Sequence, residues 1–292
     1  MIVKLFQKDI HLKDKGCNTD DSTGTNINKS VNVFVKVTNR CNASCRFCSN
    51  SGSETSIAQF NESKFWYIID ELQKSDILIN RINITGGEPS LVPKVVTSIL
   101  NNANNYPDLH LHLNTNGLLP GSQELMRHER WDSISVSIHH YDTERLSEIY
   151  GIRISEEALK FNGIDTSIIN GSCNLIRGYI DSQEEVAKML NFAINIGLPR
   201  LGFVSLMPVN DFCKERHIDF DRIKFQEIPH LYYLRSRNRG TDCKCSNYLY
   251  NNQGKMLEVY MRNYSNPEYC ESSLMYDGQY LKQGFHNDNI IY

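Results

Sequence analysis

The feature that most constrains the fold is a regular alternation of strand-like and helix-like stretches over residues 31–208. Strand patterns, rich in β-branched and apolar residues and alternating with period two, cover residues 31–38, 81–87, 109–117, 133–140, 172–180 and 201–208. Amphipathic helical stretches lie between them. Residues 61–75 open on Asn61 as N-cap, residues 91–103 follow the same period, and residues 182–197 begin with Ser182 and acidic residues and stop at Gly197. Six strand–helix units in series call for a parallel sheet covered by helices. A closed eight-unit barrel takes about 250 residues, more than residues 31–238 supply. The expected fold is therefore α/β, a partial (βα)6 TIM-like barrel with a small C-terminal cysteine-containing extension.

Three regions follow from this pattern: an N-terminal strand and loop over residues 1–30, the partial barrel over 31–210, and the extension over 211–292. Residues 18–30 are rich in Asn, Thr, Ser and Asp and read as loop. The extension carries Tyr, Asn and short strand-like pieces such as MLEVYMR. It is too short for a large core of its own, so metal or cluster ligation is expected to supply its stability.

The formal charge of −3 over 292 residues gives no electrostatic footprint for nucleic acid. Arg235, Arg237 and Arg239 in RSRNRG read as a solvated loop. No apolar run approaches the roughly 20 residues of a membrane span. The start, MIVKLFQKDIHLKDKG, has no long apolar h-region. A cytoplasmic protein is expected, with no membrane partner and nucleic acid an unfavoured one. Nine cysteines without a secretory signal point to metal or cluster ligation rather than to disulfides.

Directly after the first strand, VTNRCNASCRFCSN places Cys41, Cys45 and Cys48 in a Cys-x3-Cys-x2-Cys run. Such spacing lets one loop wrap an iron–sulfur cube with thiolates at three corners and the fourth iron open for chemistry. It also allows a zinc site completed by a distant ligand such as His139 or His140. The segment resembles the signature of the radical S-adenosylmethionine (SAM) superfamily, with Phe47 at the aromatic position before the third cysteine. Gly86-Gly87-Glu88-Pro89 closes the second strand and is similar to the family's GGE segment, which holds the SAM amino group. LNTNG ends the third strand and VSIHH the fourth, where relatives carry a TNG segment and a serine. The resemblance thus implies a cofactor site made of Phe47, Gly86, Gly87, Glu88, Pro89, Asn114 and Ser137, with Arg177 as a SAM carboxylate contact. LMPVN at the end of the sixth strand resembles the cyclase and peptide-maturase branches. No catalytic residue beyond these ligands is readable.

The resemblance implies reductive cleavage of SAM to methionine and a 5′-deoxyadenosyl radical, which abstracts a substrate hydrogen. A low-potential donor, flavodoxin or ferredoxin, is implied as partner, and a small molecule or peptide as substrate, undergoing oxidation, cross-linking or epimerisation. Some relatives hold an auxiliary 4Fe-4S cluster in a SPASM or twitch extension. Cys213, Cys243, Cys245 and Cys270 are the ligands this implies here, although the tight Cys243-Lys-Cys245 spacing departs from the SPASM pattern. Cys17 has no sequence partner. Cys173 reads as core; from a barrel mouth it would be placed to give a hydrogen atom to a substrate radical, as in some epimerases of the superfamily. The ending HNDNIIY argues against GTP cyclisation, the short N-terminal region leaves little room for a leader-binding domain, and no domain is present to hold cobalamin for methyl transfer. An RNA-modifying radical enzyme and a non-catalytic zinc module are the alternatives.

Overall fold

The computed structural model describes residues 2–12, 30–48, 60–236, 244–263, 272–284 and 289–292. Six parallel strands form its centre: β3 (Ser30–Lys36), β4 (Leu78–Thr85), β5 (Leu111–Thr115), β6 (Ser133–Ser137), β7 (Ile169–Leu175) and β8 (Arg200–Ser205). They lie side by side in sequence order. The connections carry α1 (Glu62–Lys74), α2 (Pro93–Asn102), α3 (Pro120–Met126), α4 (Thr143–Tyr150) and α5 (Gln183–Asn195), with α6 (Asp211–Glu215) after β8. Asn61 and Ser182 cap α1 and α5 as their side chains allow, accepting from the Lys64 and Glu185 amides. The short α3 and α4 carry no periodic signal long enough to read from sequence. The fifth strand starts and ends earlier than its pattern suggests. Residues 176–180 instead make a turn, with Gly178 at φ +88° and the Tyr179 amide donating to the Ile176 carbonyl.

The two faces of this sheet differ in chemistry. Val33, Val35, Ile82, Ile84, Leu113 and Ile134 point to one side and are fully buried with Phe65, Ile69, Val96, Ile99, Val186 and Met189 of the helices. This layer is the core, and each fully buried aliphatic side chain stabilises it by about 1.5–3 kcal/mol. Paired residues on the opposite, inner face are polar: Asn83, Asn114, Ser135, Ser137, Ser172 and Asn174. Period-two alternation makes both faces from the same strands. Cys173 lies on the helix-covered face with Leu201 and Phe203, fully buried, so it packs in the core and not in the mouth.

The C-terminal residues do not stand apart. β11 (Lys255–Arg262) pairs parallel with β8, and β12 (Ser273–Tyr276) pairs parallel with β3 at the other edge. β10 (Ser246–Asn252), β9 (Leu231–Ser236) and β13 (Leu281–Gln283) extend those edges antiparallel, completing an eleven-stranded sheet. Leu257, Val259 and Met261 are fully buried. The described residues of this region thus share the barrel's sheet: the open edges of β3 and β8 provide backbone partners and a ready core. A hairpin of β1 (Ile2–Leu5) and β2 (Lys8–His11) closes against the C-terminus, with Phe6 stacked on Tyr292 at 4.1 Å. Among the described residues no helix is long and apolar enough to cross a membrane.

Tyr276 of β12 is fully buried, packs on Phe60 and Phe65, and donates to the Asn61 carbonyl at 2.7 Å. Tyr276→Ala should cost about 3–5 kcal/mol and lower the midpoint of one cooperative urea transition. A separate early transition with an unchanged main one would show that the C-terminal strands are not integral to the sheet.

Candidate active site

The three cysteines lie on the loop that leaves β3, and every neighbouring strand end holds that loop. The Gly87 amide donates to the Thr38 carbonyl at 2.7 Å and the Glu88 amide to the Arg40 carbonyl at 2.8 Å. This contact explains the glycine pair. A Cβ on Gly87 would lie 1.9 Å from the Arg40 carbonyl oxygen, and one on Gly86, at φ +146°, 2.4 Å from that of Thr38. The glycines therefore let the cysteine loop approach, whereas the resemblance implied them as part of the SAM amino-group contact.

Glu88 is fully buried. Its Oε1 accepts from the Thr115 hydroxyl at 2.7 Å and the Ser90 amide at 3.0 Å, and its Oε2 from the Asn116 amide at 2.9 Å. A buried carboxylate needs such donors to offset desolvation. They join the end of β4 to the end of β5. Asn116 continues the chain of contacts: its Nδ2 donates to Asn42 Oδ1 at 2.7 Å and lies 3.9 Å from Cys41 Sγ. Further along the loop, the Ser44 amide donates to the Tyr150 carbonyl at 2.9 Å. Gly151, at φ +65°, ends α4 there, and a Cβ would meet Ser44 Oγ at 2.3 Å. Tyr150 anchors this end through its hydroxyl, which donates to the Ser137 carbonyl at 2.6 Å.

Phe47 meets the ring of His139 edge-on at 4.7 Å. His139 accepts the Asn174 amide at Nδ1, and burial pushes its pKa down to about 3, so the ring is neutral. His140 turns the other way, its Nε2 3.9 Å from Glu185. The thiols are half-buried and carry no disulfide. The Cys48 amide closes a turn onto the Cys45 carbonyl at 3.0 Å. Burial, then the charges of Cys48 and Cys41, push the Cys45 thiol up to about 12, and burial, opposed by the Ala43 amide, also raises Cys41. Three thiols on one loop form a donor set that suits a cationic iron centre, which lowers thiol pKa values on binding. Among the described residues no three His, Cys, Asp or Glu side chains stand ready in metal-holding geometry.

Of the residues expected from sequence, Phe47, Gly86, Gly87 and Glu88 meet at the cysteine loop, and buried Pro89 opens the turn that Glu88 caps. Asn114 and Ser137 are half-buried on the inner face below it. Arg177 stands apart on the exposed 176–180 turn, donating to the His217 carbonyl at 3.0 Å. Cys213 comes to the same loop as the triad: buried in α6, its Sγ lies 3.5 Å from the Phe47 carbonyl. Cys245 is buried at the start of β10, its sulfur accepting the Asn263 amide. Cys17, Cys243 and Cys270 lie outside the described residues, as do Arg237 and Arg239 of the basic cluster. Sequence reasoning missed Asn116 and Asn210, although TNG and LMPVN contain them, and also Tyr150 and Gly151, which carry no local motif.

The family described as the radical SAM superfamily matches residues 35–220. A GTP 3′,8-cyclase of Alkaliphilus metalliredigens is 25% identical over 90% of this chain and 83% of its own length. A probable GTP 3′,8-cyclase of Methanocaldococcus jannaschii is 25% identical over 88% and 86%. Among solved structures, Streptococcus suis SuiB bound to precursor peptide SuiA superposes with a TM-score of 0.52 at 17% identity, covering 65% of this chain and 42% of SuiB. A radical SAM methyltransferase from Sphaerobacter thermophilus gives 0.52 at 17%, covering 66% and 60%. These two share the fold.

Gly87→Ala should displace residues 39–40, lower the melting temperature and reduce iron loading on reconstitution. Gly202→Ala, whose Cβ would meet only ordinary contacts from 3.7 Å, is the control and should leave both unchanged. The buried His139 makes a second prediction. An unfolded histidine titrates near 6.5 and the folded one near 3, so its share of stability is complete above about pH 6.5 and declines as pH falls towards 3. His139→Asn, which keeps an acceptor for the Asn174 amide, should flatten the pH dependence of urea unfolding in that window by up to one proton.

Proposed function

Because the chain belongs to the radical SAM superfamily, we propose that it abstracts a hydrogen atom from a polar small molecule or peptide held on the inner face of its sheet. Its cofactors are a 4Fe-4S cluster and SAM, which when bound supply the reductively generated 5′-deoxyadenosyl radical. Cys41, Cys45 and Cys48 would hold the cluster. Asn116 and the Gly86–Glu88 turn keep the loop against the ends of β4 and β5. Ser137 and Asn114 would orient SAM from the inner face.

The observation that carries the substrate reading is the chemistry of that face. Six polar side chains, Asn83 to Asn174, line it beneath the cysteine loop, while the same strands are mostly apolar on the other side. Asn83 already donates to the Val33 carbonyl; over the half-buried members of the face, an apolar substrate would displace water without replacing its hydrogen bonds, at a cost of about 1–3 kcal/mol each. A hydrogen-bonding substrate satisfies them and is oriented by them. Reduction requires a low-potential donor, for which a flavodoxin or ferredoxin is the proposed partner. Oxidation, cross-linking and epimerisation all begin from such a step.

A second reading, GTP cyclisation, is favoured by the two relatives named for it, which align over most of this chain. GTP is therefore one of the substrates to test.

Anaerobically reconstituted protein with SAM and dithionite should yield 5′-deoxyadenosine, and replacing any one of Cys41, Cys45 and Cys48 by Ala should abolish it. Deuterium moving from a labelled polar substrate into 5′-deoxyadenosine identifies the substrate, with labelled GTP testing the second reading. No 5′-deoxyadenosine from iron-replete protein would overturn the proposal.

A further inference from the structure

The segment that follows β8 reaches back to the third cysteine. Asn210 caps α6, its Oδ1 accepting the Cys213 amide at 2.9 Å. The same side chain donates through Nδ2 to the Arg46 carbonyl at 3.1 Å. The Arg46 guanidinium lies over the Phe212 ring at 4.7 Å. Cys213, 1% exposed, brings its Sγ to 3.5 Å from the Phe47 carbonyl. That carbonyl belongs to the peptide group leading into Cys48. Three side chains of one short segment thus grip the two residues before Cys48.

The other two cysteines are supported differently. Cys41 lies beside Asn116 and the Ala43 amide, and Cys45 follows Ser44, which is fixed to Tyr150. For Cys48, the contacts from residues 210–213 hold the chain on its approach. Fixing the planes of the 46–47 and 47–48 peptides limits where the Cys48 sulfur points, and it removes backbone freedom that cluster binding would otherwise have to freeze.

We propose that residues 210–213 are a clamp for the cluster, with Asn210 and Cys213 as positioning residues that direct Cys48. Cys213 then serves the SAM-binding cluster as a hydrogen-bond donor and is not a ligand of a second cluster. The contribution of the thiol is the smaller one, since S–H is a weak donor. Asn210 contributes more, joining the cap of α6 to the loop with one side chain.

The two functions of Asn210 can be separated. Asn210→Asp keeps an acceptor for the Cys213 amide, and Asp is as good an N-cap as Asn, but it presents oxygen in place of N–H to the Arg46 carbonyl. Cys213→Ala removes the thiol donor and Cys213→Ser restores a hydroxyl donor. The full chain, reconstituted anaerobically, is assayed for iron and sulfide content, for the rate of iron loss to EDTA, and for the electron paramagnetic resonance spectrum of the reduced cluster. The thermal midpoint of the cluster-free chain is measured alongside. Asn210→Asp should leave that midpoint unchanged, release iron roughly tenfold faster, equivalent to about 1.4 kcal/mol, and alter the spectrum. Cys213→Ala should act in the same direction by roughly threefold, as one weak hydrogen bond allows, and Cys213→Ser should return towards the parent rate. Parent-like iron release and spectra in both Asn210→Asp and Cys213→Ala would overturn the clamp. Loss of about four irons in Cys213→Ser, with the SAM-binding cluster's spectrum intact, would overturn it too and make Cys213 an auxiliary-cluster ligand.

Discussion

The site depends first on the buried carboxylate of Glu88. It is fully enclosed, and Thr115, Ser90 and Asn116 turn their donors towards it to offset the loss of water. Those donors come from the turn after β4 and the end of β5, so satisfying one side chain sets the relative position of two strand ends. Asn116 then passes the constraint to Asn42 beside Cys41, and the amide of Glu88 itself holds Arg40. One electrostatic requirement thereby places the first cysteine relative to the sheet. Removing the carboxylate would leave Thr115 and Ser90 with unmet donors and disconnect the loop from its platform.

The division of the sheet into two faces does the rest. Apolar residues drive the helices onto one side and make the core. The period of two then delivers Asn and Ser to the other side, where most of them are half-buried. The cysteine loop lies at the C-terminal ends of the same strands, where parallel α/β folds gather their chemistry. Core and site are thus two consequences of one strand pattern. The C-terminal strands protect the arrangement by covering both open edges, so that β3, which feeds the cysteine loop, has a partner on each side.

Much of this was legible in the chain. The six strands follow from alternation, and the Cys41–Cys45–Cys48 run with GGEP and TNG identified the family, because each motif needs a particular residue at a strand end. The glycines were noticed for the right property and assigned to a different neighbour: the required close approach is to the backbone of residues 38–40, which lie far from residues 86 and 87 in sequence. Arg177 matched a position in the pattern, yet the turn at residues 176–180 carries it to His217. Cys213 was grouped with the later cysteines by sequence proximity, whereas α6 takes it to Phe47.

The sequence by itself determined the fold class, the cluster chemistry and the order of the strands. These depend on periodicity and on short motifs, which are local. Only the tertiary structure decided that β9 to β13 complete the sheet, that Cys173 faces the helices, and that Asn116, Tyr150 and Asn210 hold the cysteine loop. Each of these is a contact between residues distant in the chain, set by which strand edges were left open and which buried polar groups needed partners. No local pattern encodes such a pairing, because the energy that selects it exists only once the sheet has formed.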